Sequence, residues 1–184
     1  MRTALLISAL LVPLAACDTT GTDSGYELLG TFDIDPAGTY LRTNQDAASG
    51  PTTIDLSGLG VSPGDSIYVR ILGEADLDPA SAVGGEPGAA SFTVAGVFST
   101  SATLLASDQR ERVPGAIDVG PDIATAPTAI GTLPTDIAQD ALINRNAFRV
   151  PAGATTLFLN VVDQFYSDNA AETFTATVTR KTNA

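Results

Sequence analysis

The sequence has 184 residues, with 21 Asp and Glu against 9 Lys and Arg, no histidine, no tryptophan and a single cysteine. Without histidine, Ser-His-Asp and Cys-His hydrolases and all His-ligated zinc or copper sites are excluded. A formal charge of −12 repels phosphate backbones and speaks against a nucleic-acid partner.

Met1 and Arg2 lead into an apolar run from Ala4 to Ala16, 13 residues long. A helix needs about 20 such residues to cross the hydrocarbon core of a bilayer, so the run reads as the apolar region of a secretory signal peptide. It ends in Leu14-Ala15-Ala16-Cys17, which resembles a bacterial lipobox: small residues ahead of a cysteine that is acylated and becomes the new N-terminus. The expected product is a lipoprotein held at a membrane of the bacterial cell envelope by acyl chains (palmitate-type) on Cys17, facing the periplasm or the extracellular space. Each buried CH₂ of such chains contributes about 0.8 kcal/mol to the anchor. Beyond Cys17 the chain has no cysteine, so no disulfide supports the fold. Residues 17–25 are small and polar and read as a tether, leaving residues 26–184 as one domain.

From Tyr26 onward, apolar and polar residues alternate at period two between clusters of Gly, Pro, Asn and Asp, the pattern of half-buried strands. The clearest strands are Ser66–Leu72, Ser91–Phe98, Thr155–Val162 and Thr173–Thr179. They turn inward Ile67, Val69 and Ile71; Phe92, Val94 and Phe98; Leu157, Leu159 and Val161; and Phe174, Ala176 and Val178. Threonines line the outer side of the last strand. Weaker strands are predicted at Glu27–Phe32, Thr52–Leu56, Ala102–Ala106 and Ala147–Val150. One helical turn is predicted over Thr135–Leu142, behind Pro134 and a capping Thr or Asp. Residues 107–140 read as a long, partly ordered excursion. With 17 Gly and 11 Pro, long helices are not expected, and an all-β antiparallel β-sandwich follows.

Between the last two clear strands stands Asp163-Gln-Phe-Tyr-Ser-Asp168-Asn169. Hard cations such as Ca²⁺ collect six to eight oxygens from carboxylates, amide side chains and main-chain carbonyls, and Asp163, Asp168 and Asn169 supply them if the loop curls. The same residues serve equally well as a turn, with Asp168 and Asn169 setting its conformation and Asp163 accepting from backbone N–H groups. Glu74, Asp76 and Asp78 form a second acidic cluster past the Ser66 strand; Asp76 either faces the loop as a ligand-binding residue or is solvated. A carboxylate glycosidase would need two carboxyls at a defined separation, which nothing in the sequence specifies, so the chain is read as a binding module and not as an enzyme. Tyr40, Tyr68, Phe165 and Tyr166 are the aromatics nearest loops. Tyr166 either stacks on a sugar beside the ion or packs over the end of the sandwich. The arginines read as surface counter-charges.

The segment Gly64-Asp65-Ser-Ile-Tyr-Val-Arg-Ile-Leu-Gly73 followed by Pro79, together with Asp163…Tyr166-Ser-Asp168-Asn169…Phe174, resembles the calcium-dependent galactophilic lectins of bacteria and the wider LecA-like β-sandwich domains. The resemblance covers about residues 62–79 and 147–179. It implies a jelly-roll-type sandwich and a calcium ion held by Asp163, Asp168 and Asn169 with carbonyls near Leu77 and Phe165. It also implies sugar hydroxyls on the ion's open positions, with carbohydrate as the partner. In those lectins a histidine and a glutamine also hold the hexose, and this chain has no histidine. The competing expectation is a structural envelope lipoprotein without a small-molecule ligand.

Overall fold

The computed structural model describes residues 25–43, 48–76, 94–119, 137–143, 147–162, 166 and 169–182. Every regular element among them is a strand: β1 (Tyr26–Asp33), β2 (Thr52–Asp55), β3 (Ser66–Asp76), β4 (Val94–Ser99), β5 (Ala116–Ile117), β6 (Ala141–Leu142), β7 (Ala147–Arg149), β8 (Thr156–Val161) and β9 (Ala170–Lys181). They form two antiparallel sheets, a four-stranded one in the order β1-β9-β3-β7 and a five-stranded one in the order β2-β8-β4-β5, with β6 also pairing β4. Late strands insert between early ones, β9 between β1 and β3 and β8 between β2 and β4, while the consecutive β4 and β5 pair directly.

Alternation explains the shared core. Ile67, Val69 and Ile71 of β3, Phe148 of β7, and Phe174, Ala176 and Val178 of β9 meet Ile54, Val94, Phe98, Leu157, Leu159 and Val161 from the other sheet in one cluster. Fully burying one such side chain contributes roughly 1.5–3 kcal/mol, so this apolar layer is what holds the sheets together. Phe98 and Phe148 bridge it edge to face, with ring centroids 6.1 Å apart at 60°. Such aromatic pairs add roughly 0.5–1.5 kcal/mol beyond area burial. At β2 the chain turns because the Asp55 carboxylate accepts from the Ser57 hydroxyl (2.7 Å) and the Gly58 N–H (3.1 Å). Those two bonds, the hydroxyl first, hold its carboxyl below the usual range.

One strand face does not account for β4 and β8, since all six residues of each are buried. Their second face forms another cluster, in which Ala95, Val97, Phe158 and Val162 are covered by Tyr40, Leu41, Val113 and Ile137. The five-stranded sheet therefore has apolar packing on both sides, the outer side supplied by irregular segments.

Two sequence expectations are corrected. In Thr135–Leu142, no helix forms over the described part: Ile137–Asp140 lead through a turn into β6, whose Ala141 pairs with Gly96 and Leu142 with Ala95. A helix this short is marginal by itself, and the open edge of β4 offers backbone partners instead. Ala102–Ala106 is not a strand; its Leu104 packs on the second cluster. The other seven strands expected from the sequence are present, β1, β3 and β9 longer than expected.

Phe148 is 0 % exposed although β7 has only three residues. Phe148→Ala is expected to cost about 3–5 kcal/mol, the range for emptying a buried aromatic site. An unchanged urea midpoint would refute the role of this ring as the peg that seats β7.

Candidate functional site

The two stretches that carry the predicted ligands leave the sheet side by side. In the β3–β9 ladder Glu74 faces Thr173, Ala75 faces Ala171 and Asp76 faces Ala170, with a register shift between Glu74 and Ala75. Gly73 precedes this bulge with φ at 93°, in the left-handed region that a side chain disfavours. The chain running on from Asp76 and the chain arriving through Asn169 therefore share one end of the four-stranded sheet.

Asn169 is fixed at that end from two directions. Its backbone N–H donates to the Tyr166 carbonyl at 3.3 Å and its Nδ2 donates to the Pro36 carbonyl at 2.9 Å. A carbonyl only accepts, so the amide must present its nitrogen to Pro36 and turn its oxygen the other way. That oxygen, Oδ1, is buried and has no hydrogen-bond partner among the described residues. A buried acceptor left in this way costs roughly 1–3 kcal/mol, and a hard cation is one group that removes the cost. The Pro36 turn is itself held firmly. Ile34 donates to the Phe174 carbonyl at 2.8 Å, and the Asp35 carboxylate accepts from the Ala37 N–H at 2.9 Å and the Ser49 hydroxyl at 2.5 Å.

Of the two readings of Tyr166, burial fits the packing one and not the sugar-stacking one. The residue is 1 % exposed, so its ring offers no face to a ligand in solution. Tyr40 is buried as well, and its hydroxyl donates to Asp140 Oδ2 at 3.3 Å. Burial first, then the negative field of Asp140 and the neighbouring Tyr166, raise the Tyr40 phenol well above its ordinary acidity range. Tyr166 is thus near enough to Tyr40 to act on its phenol.

Arg112, expected at the surface, is also buried. Its Nη1 donates to the carbonyls of Thr39 (3.1 Å) and Leu41 (2.6 Å), and its Nε to that of Leu105 (3.1 Å). Leu105 N–H returns a bond to the Arg112 carbonyl at 2.8 Å, closing the loop in which Glu111 takes a left-handed φ of 49°. Asn160, in the middle of β8, donates to the Thr39 hydroxyl at 3.0 Å. These groups hold the covering segment over the sheet. Arg112, next to Arg110 and Glu111, looks like any surface arginine in the sequence and carries no local sign of a distant carbonyl partner; Asn160, polar between Leu159 and Val161, is the one local irregularity.

Of the other predicted residues, Cys17, Leu77, Asp163, Phe165 and Asp168 lie outside the described residues, and Asp76 is described by its backbone alone. Among the described residues no group of three or more His, Cys, Asp or Glu side chains gathers at one point, and no helix is long and apolar enough to cross a membrane. No known protein family matches this chain, and no curated protein or solved structure does so. The likeness to the galactophilic lectins rests on the quoted residues alone.

The Tyr40 phenol gives the cluster a pH signature. An unfolded phenol ionises near pH 10, while folded Tyr40 holds its proton to higher pH. Its contribution to stability is therefore complete below about pH 10 and is lost as pH rises through the folded value, because the unfolded chain releases the proton first. Urea midpoints are expected to fall steeply above about pH 10 in the parent and less steeply in Tyr40→Phe; parallel alkaline limbs would refute the assignment. Arg112→Lys is expected to lose at least about 2 kcal/mol, since an ammonium cannot reproduce the planar fork that reaches three carbonyls.

Proposed function

We propose that this chain is an extracytoplasmic bacterial lipoprotein, anchored through Cys17, whose LecA-like jelly-roll sandwich binds calcium where β3 ends and β9 begins. The observation that carries this reading is Asn169 Oδ1, a predicted ligand whose oxygen is buried and without a donor among the described residues. The shared sheet end of Asp76 and Ala170 supports it, since it brings together the backbones that lead to Leu77 and Asn169. Asp163 and Asp168 would supply carboxylates, Leu77 and Phe165 carbonyls, and Asp76 further negative charge nearby. When bound, the ion would neutralise the carboxylates and order the loop between β8 and β9.

Carbohydrate recognition in this reading falls to the ion's open coordination positions, because Tyr166 is buried. That burial favours a second reading, a structural envelope lipoprotein in which the end loops serve packing and no sugar is bound. Both make the chain a binding or structural module and not a catalyst.

Calcium is expected to raise the melting temperature of the parent, corresponding to about 2.7 kcal/mol at a hundredfold excess over Kd. Asp163→Ala and Asn169→Ala should each abolish that gain. A parent whose melting temperature ignores both calcium and EDTA defeats the metal site. A glycan array read with and without EDTA then separates the two readings, calcium-dependent glycan binding supporting the lectin-like one and its absence the structural one.

A further inference from the structure

The outer face of the four-stranded sheet gathers every large hydrophobic side chain that stands exposed among the described residues: Tyr26 (47 %), Leu28 (64 %) and Leu72 (39 %). The register places them there together. Tyr26 pairs with Lys181 and Leu28 with Thr179 across β1–β9, and Tyr68 and Leu72 pair with Thr179 and Thr175 across β3–β9. Ile67, Val69, Ile71, Ala176 and Val178 point the other way, into the core. Three exposed basic residues share the outer face, Arg70, Arg149 and Lys181.

The charge is arranged by position along the strands. At the end where β1 starts and β9 stops, Glu27 and Asp65 are both engaged by Arg180, at 2.6 and 3.5 Å. Lys181 and Arg149 make no ion pair among the described residues. In a chain with more than twice as many acidic as basic residues, this end is locally basic and carries Tyr26 and Leu28 beside it. Asp33 lies at the opposite end of the same face, paired with Thr175.

The chain outside the described residues says what meets this surface. Tyr26 follows the nine residues 17–25, which reach at most about 30 Å when fully extended. We propose that this end of the sheet, where Tyr26, Leu28, Lys181 and Arg149 stand across it from β1 to β7, seats on the bilayer surface, Tyr26 and Leu28 entering the headgroup region and the two basic residues facing anionic lipid; this rests on the reading of Cys17 as the lipid anchor. Tyrosine suits that position because its ring has an apolar body and a polar tip. Lysine and arginine gain from the negative surface potential within about a Debye length of it. The tether brings Asp18 and Asp23, which reduce the electrostatic share, so the apolar pair holds the contact and the basic pair orients it. The candidate calcium end then projects away from the membrane, because it lies at the far end of the same strands.

The chain has no tryptophan, so Tyr26→Trp and Thr53→Trp each create a single fluorophore, one at the proposed contact and one at an exposed position of β2 in the other sheet. The lipidated protein is inserted into vesicles of phosphatidylcholine and phosphatidylglycerol containing lipids brominated on their acyl chains. Tyr26→Trp emission is expected to shift to the blue and to be quenched severalfold more than Thr53→Trp emission, with Leu28→Asp or Lys181→Glu added to it reducing that quenching. Equal quenching of the two reporters overturns the proposal. So does a Tyr26→Trp reporter hidden from aqueous acrylamide but untouched by brominated lipid in a cross-linkable dimer, which assigns the face to a second copy. Vesicle flotation and acyl labelling of Cys17 are read in the same samples: loss of both removes the anchor and the bilayer seat with it, whereas retention of both with equal quenching removes the seat alone.

Discussion

The constraint on which this fold depends is that β4 and β8 are apolar on both faces. A sheet with one oily side needs one partner layer; a pair of central strands with two oily sides needs two. The four-stranded sheet covers one side through Ile67, Val69, Phe148, Phe174 and Val178. No third sheet exists among the described residues to cover the other, and the chain solves the problem with irregular segments around Tyr40, Val113 and Ile137.

Irregular backbone used as a lid brings its own cost, since its carbonyls and N–H groups lack ladder partners. Arg112 meets that cost by donating to three carbonyls that no strand could reach. Asn160 and the Thr39 hydroxyl extend the same function, one bonding to the other and Thr39 in turn accepting from the Leu41 N–H at 3.0 Å. Tyr40 completes the lid, with its hydroxyl bonded to Asp140.

The four-stranded sheet gives the molecule a direction. β3 runs eleven residues from Ser66 to Asp76, roughly 35 Å at the rise of an extended strand. One end holds the start of β1, the Arg180 ion pairs and the basic, partly apolar row. The other holds the buried Asn169 oxygen.

The inward faces of β3, β8 and β9 were legible in the sequence because period-two alternation is a local consequence of strand geometry: neighbouring side chains must point to opposite sides. The lipobox-like run that ends at Cys17 is a linear pattern, and such a resemblance is read without any fold. Sequence also concentrated oxygen donors between Asp163 and Asn169, though it left turn and ligand roles open. The pairing of β6 with β4 in place of a helical turn, the burial of Tyr166 and Arg112, and the meeting of Asp76 with Ala170 were decided only by the tertiary structure. Each depends on a partner nearly fifty or more positions away, and at such separations the polar or apolar character of a residue does not say which backbone group, ring or sheet edge will be there to receive it.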